Sequence, residues 1–129
     1  MNSINFKKEV HLTVDQAIDK VTKGLKSIGF GVLTRIDFHT KMKEKLNQDL
    51  KPVVILGACN PALAFEAYQV NTDVTGLLPC NVVVRDLGNN KTSIEAVKPS
   101  SMMETLGEKK LAELARSVDQ KLQTMLESL

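Results

Sequence analysis

Seven consecutive residues, Val53-Val54-Ile55-Leu56-Gly57-Ala58-Cys59, are apolar on both alternating faces. A strand of this kind is stable only where both sides are covered or where one side lies at an interface. The run is therefore the expected centre of a sheet. The next two residues name the element that follows. Asn60 reads as a helix N-cap, whose amide oxygen accepts a free N–H, and Pro61 as a first helical residue, which has no N–H to satisfy. A helix over 61–71 is predicted, and Cys59 falls at the junction.

The flanking segments supply the other layers. Over 4–12, Ile4, Phe6, Val10 and Leu12 share one face and Asn5, Lys7, Glu9 and His11 the other, the period of a half-exposed strand. Lys8 breaks the apolar face and suggests an edge. Thr13 with Gln16 forms a capping box, the apolar positions from Val14 to Ile28 follow helical spacing, and Gly29 stops the helix. Residues 30–38 alternate again, with Phe30, Val32, Ile36 and Phe38 expected on one side and Arg35 and Asp37 on the other. Residues 40–50 read as an exposed helix ended by Pro52. Strands over 80–87 and 91–97 flank Gly88-Asn89-Asn90, residues that tolerate positive φ, and predict an antiparallel hairpin. Ser101 with Glu104 offers a second capping box. Beyond Gly107, which separates a short turn from the main helix, Leu111, Leu114, Ala115, Val118, Leu122, Met125, Leu126 and Leu129 trace one apolar stripe. The order β-α-β-α-β-α-β-β-α predicts a single α+β domain over 1–129, a mainly antiparallel sheet of about five strands layered with helices.

With 129 residues, 43% of them hydrophobic, the chain can bury a core without disulfides or a structural metal. Its 17 basic and 15 acidic residues give a formal charge of +2, with lysines interleaved among acids and no aromatic stacking positions. Nucleic acid is not an expected partner. No run approaches the roughly 18 apolar residues of a membrane span, the start lacks a secretory signal, and a cytosolic location is the default expectation.

The chemistry-bearing candidates are Cys59, Asn60, Cys80 and Asn81, because the only two cysteines sit in near-mirror settings, Cys59-Asn60-Pro61 and Pro79-Cys80-Asn81. Cys59 precedes a helix terminus, where unpaired N–H groups favour an anion and can lower a thiol pKa, so it is the candidate nucleophile. It is equally well read as a small buried hydrophobe. Cys80 shares a face with Val82 and Val84 and reads as packed. Both are candidate ligands for a soft metal, although no Cys-x-x-Cys and no second pair completes a zinc site. His11 and His39 are distant in sequence from either cysteine and read as solvated. Asn81 is disfavoured in a strand, which points to a specific hydrogen bond. Phe65 and Tyr68 form an aromatic ridge fit for a core or a dimer contact.

The segments Ile55-Leu56-Gly57-Ala58-Cys59-Asn60-Pro61-Ala62-Leu63-Ala64 and Gly76-Leu77-Leu78-Pro79-Cys80-Asn81-Val82-Val83-Val84 resemble the domain-of-unknown-function family 302. The family's motif positions fall here on Gly57, Cys59, Asn60, Pro61, Leu78, Pro79, Cys80 and Asn81. The resemblance implies a small bacterial or archaeal α+β domain, often a homodimer, and implies no established activity. Three functions stay open: a cytosolic homodimeric binding protein with a small-molecule or soft-metal pocket near Cys59/Asn60 and Cys80/Asn81; a thiol-dependent enzyme or redox protein using Cys59; and a structural or regulatory dimerisation module. No substrate or cofactor is named by the residues.

Overall fold

A computed structural model describes residues 3–129. The elements are β1 (Asn5–Val10), α1 (Val14–Ser27), β2 (Gly31–Asp37), α2 (Phe38–Leu46), β3 (Val53–Cys59), α3 (Pro61–Val70), β4 (Cys80–Gly88), β5 (Lys91–Val97), α4 (Pro99–Met103) and α5 (Lys109–Glu127), with 3₁₀ turns at Thr72–Leu77 and Glu104–Leu106. All five strands form one sheet in the order β1-β5-β4-β3-β2, and every pairing is antiparallel. The α+β class and the order of the main elements are those expected from the sequence. The centre differs. It is β4, because the closing hairpin inserts β4 and β5 between β3 and β1, leaving β3 beside the edge strand β2.

Local chemistry accounts for most boundaries. Gln16 N–H donates to Thr13 Oγ1 at 3.2 Å while Thr13 N–H donates to Gln16 Oε1 at 3.0 Å, so the capping box that starts α1 is complete. Leu63 N–H donates to Asn60 Oδ1 at 3.2 Å, and Pro61 opens α3. Asn89 and Asn90 adopt φ of 54° and 57° in the hairpin turn, a left-handed backbone that asparagine accepts. Lys8 lies on the edge strand β1.

Three expectations are corrected. Helix α2 ends at Asn47, which takes the left-handed conformation with φ 54°, so the stop comes well before Pro52. Ser101 caps nothing, since α4 begins at Pro99 behind Lys98; instead Ser100 N–H donates to Asp119 Oδ1 at 3.0 Å and ties α4 to α5. In β2, a register shift between Val32 and Thr34 changes the alternation. Val32 pairs with the core residue Ala58, whereas Ile36 pairs with Ile55 on the opposite face. One extra residue in a strand reverses every side chain beyond it, so a period-two reading of the whole segment fails.

The core lies on one face of the sheet. Ala17, Ile18, Val21 and Leu25 of α1 and Val118, Leu122, Met125 and Leu126 of α5 meet Val54, Leu56, Ala58, Val82, Val84, Ile94 and Ala96. A second cluster, Ala67, Val74, Met103, Leu111 and Ala115, joins α3, α4 and α5 beyond it. The other face, which carries Val53, Ile55, Val83 and Glu95, contributes no residue to either cluster.

Candidate functional site

Cys59 is the last residue of β3 and Cys80 the first of β4, and the register pairs Ala58 with Cys80. Antiparallel pairing thus brings both cysteines to the same end of the sheet, where α3 begins. There Cys59, Asn60 and Cys80 line one pocket whose other walls are apolar: Phe30 and Ala58 from the sheet side, Leu63, Ala64 and Ala67 from α3, and Met103, Leu111 and Ala115 from α4 and α5. Its free volume is about 50 Å³. That is a narrow slot, with space for a short alkyl or ring fragment and well below the roughly 300 Å³ of a full drug-sized cavity.

The two thiols are inequivalent. Burial, with the neighbouring Cys59 charge adding to it, pushes the Cys80 thiol up to about 11, because a thiolate is poorly solvated in an apolar wall. Cys80 is therefore a neutral, packed thiol at ordinary pH. Cys59 sits immediately before the capped first turn of α3, where free N–H groups point outward. Neither cysteine is in a disulfide.

Asn60 has two structural attachments. Its Oδ1 caps α3, and its Nδ2 lies 3.0 Å from where a Cβ on Gly29 would stand, so the amide covers the turn that follows α1. Gly29 itself has φ of +86°, a conformation that favours glycine. Gly57 answers a different need: a Cβ there would overlap Thr34 Oγ1 and come within 2.8 Å of Pro79 Cγ. The motif glycine is thus where β2 and the segment before β4 close over β3.

Asn81 is not brought into this pocket. It pairs with Gly57 on the helix-free face and is exposed. The histidines are not brought there either. Val53 N–H donates to His39 Nδ1 at 3.0 Å, which pins α2 to the start of β3, roughly 20 Å along the strand from Cys59. His11 is exposed after β1. Among the described residues, no three of His, Cys, Asp and Glu come together as a metal site. Phe65 and Tyr68 are exposed on α3, so the ridge belongs to the surface.

Two features were not anticipated from sequence. The pocket wall from α4 and α5 was hidden because an apolar stripe does not say what it packs against. On the helix-free face, Glu95 is only 6% exposed and accepts hydrogen bonds at Oε2 from Arg85 Nε at 3.1 Å and Ser93 Oγ at 3.0 Å. Burial alone would raise its pKa, but these hydrogen bonds and the charges of Arg85 and Lys7 outweigh it and hold the carboxyl below its usual value.

Fold and site together define a small α+β domain with a paired-thiol pocket at one end of an antiparallel sheet. The chain belongs to the family described as Domain of unknown function DUF302, whose model matches residues 6–129. It is similar to the uncharacterized conserved protein DUF302 from Bacillus stearothermophilus, known from a crystal structure, with 30% identity, 98% of each chain covered and a TM-score of 0.89. No curated protein matches the sequence. The family membership suggested by the two cysteine-containing segments is thus shown, and it carries no assigned activity.

Proposed function

We propose that the chain is a cytosolic binding domain whose pocket at Cys59, Asn60 and Cys80 takes a short apolar group of a small molecule. One observation carries this reading: residues far apart in sequence converge on a single slot with almost wholly apolar walls. Such a slot gains affinity by excluding water from a ligand's apolar end, while the few polar atoms at its rim orient the rest. A soft metal ion is a weaker fit, since two sulfurs would be its only protein ligands and Cys80 would have to release a strongly held proton. A Cys59-dependent reaction has the helix terminus in its favour, but no histidine lines the pocket to serve as its base.

Titration of the reduced protein with the apolar fluorophore anilinonaphthalene sulfonate, beside the Ala64→Phe variant that fills the slot, tests the reading. Saturable one-to-one binding by the native chain, weakened at least tenfold in the variant, is expected. Equal binding by both would overturn it, and tight copper(I) binding abolished by Cys59→Ser would favour the metal reading instead.

A further inference from the structure

The covered face of the sheet turns polar at the end away from the cysteines. Register sets Arg35 opposite Leu56, Asp37 opposite Val54 and Asp86 opposite Thr92, so three charged side chains share a face with the core. They line a cleft of about 500 Å³, far larger than the cysteine slot and inside the roughly 300–1,000 Å³ range of small-molecule sites. Four separate segments build it: the first turn of α1 with Thr13 and Asp15, the junction of β2 with α2, the start of β3, and the β4–β5 hairpin with Asn89 and Asn90. Its apolar lining is Leu12, Val14, Pro52 and Val54.

We propose that this cleft binds a neutral polyhydroxylated molecule, of the class of monosaccharides and cyclic polyols. Its polar groups are held in place by the chain with one side of each left over. Arg35 Nε donates to Asp37 Oδ1 at 3.0 Å, which leaves the Nη groups of the guanidinium and Oδ2 of the carboxylate for a ligand. Gly88 N–H donates to Asp86 Oδ1 at 2.8 Å, with the same consequence for Asp86 Oδ2. Val53 N–H donates to His39 Nδ1, so the neutral ring carries its proton on Nε2 and is a donor there. Fixed donors and acceptors around an apolar wall are what hydroxyls on a carbon ring require. Each hydroxyl can donate to a carboxylate and accept from a guanidinium or amide, while the ring's C–H face lies against Leu12, Pro52 and Val54. Groups already anchored lose little further freedom when the ligand binds. Other ligand classes fit less well. Acids outnumber cations around the cleft, which disfavours phosphates and carboxylates. Among the described residues, no three of His, Cys, Asp and Glu converge, so the carboxylates are too widely spread for a metal ion. An organic cation would have to compete with Arg35, which already holds Asp37.

Amide-resolved NMR titration of the full chain with glucose, galactose, ribose and myo-inositol, each to about 50 mM, tests the proposal, with putrescine and inorganic phosphate as comparison probes. At least one polyol is expected to shift the amides of residues 13–15 and 86–90, saturably, with a Kd of about 1–10 mM. Arg35→Met and Asp86→Asn should each weaken that binding roughly tenfold, the scale of one hydrogen bond to a charged group, with unchanged circular dichroism and unchanged fluorophore binding at the cysteine slot. Asp86→Asn keeps an acceptor for Gly88 N–H, and Arg35 is exposed on the edge strand β2, so either variant remains informative if the other fails to fold. Shifts of these amides by putrescine or phosphate where no polyol produces them, polyol binding untouched by both substitutions, or no shift with any probe would overturn the proposal. None of these results bears on the cysteine slot, because the fluorophore titration reads it separately at the other end of the sheet.

Discussion

The two faces of β3 carry almost the same residue types and live in different surroundings. Val54, Leu56 and Ala58 are each 1% exposed beneath α1 and α5, whereas Val53 and Ile55, one position away, touch neither apolar cluster. Composition does not separate the faces; the helices do. Only the covered face receives the amphipathic stripes of α1 and α5, and where α3, α4 and α5 part at the end of the sheet they leave the cysteine-lined slot. A strand apolar on both sides thus meets two surroundings, one face buried within the chain and the other left half-exposed.

The contrast can be broken most forcefully by truncation on each side. Leu56→Ala should cost about 3 kcal/mol, within the range for buried leucines that leave a cavity, while Ile55→Ala should cost under about 1 kcal/mol. Urea unfolding of both variants checks this, and equal losses would erase the distinction between the faces. Gly57→Ala should cost about 1–3 kcal/mol, because the new methyl meets Thr34 and Pro79. Adding Thr34→Ala should restore part of the loss.

Two titrations sharpen the comparison further, one from each face. Cys80, on the covered side, has a folded pKa of about 11 against roughly 8.5 unfolded. Its contribution is fully present below the unfolded value and is lost as pH rises through the folded one, so stability should fall between about pH 8.5 and 11. Cys80→Ala should flatten that fall. Glu95, on the other side, has a folded pKa below its unfolded value of roughly 4.3. Its stabilisation is present above that value and is lost as pH drops through the lowered folded pKa, and Glu95→Gln should reduce the acid slope of unfolding free energy by up to one proton's worth. The smallest effect belongs to neither face: Asn47→Gly, at the left-handed end of α2, should change stability by only a few tenths of a kcal/mol.

What could be read in advance follows the range of the interactions. Thr13 with Gln16, Asn60 with Pro61, and the Asn89-Asn90 turn are settled within four residues, and each adopts the geometry its chemistry requires. The bulge beside Val32 depends on β3 pairing, with Thr34 seated over Gly57, and nothing within β2 announces it. The placement of β4 at the centre depends on where the final hairpin inserts. For the candidate site, Cys59 and Asn60 were legible from a strand meeting a helix, and Cys80 joins them because β4 runs antiparallel to β3. The same pleat sends Asn81 to the opposite face from Cys80. Met103, Leu111 and Ala115 were visible as apolar positions, but only tertiary packing turns them into a pocket wall. The Arg85–Ser93–Glu95 network was likewise out of reach, since it spans two strands and one acid in an apolar run carries no address.

Cys59 and Cys80 line one apolar slot at the end of the sheet where α3 begins. Alkylation of each thiol, followed by peptide mass spectrometry with and without saturating anilinonaphthalene sulfonate, tests this most directly. Protection of both cysteines by the fluorophore, with Cys80 the slower to react in its absence, is the predicted result; unchanged alkylation of both thiols at full occupancy would contradict it.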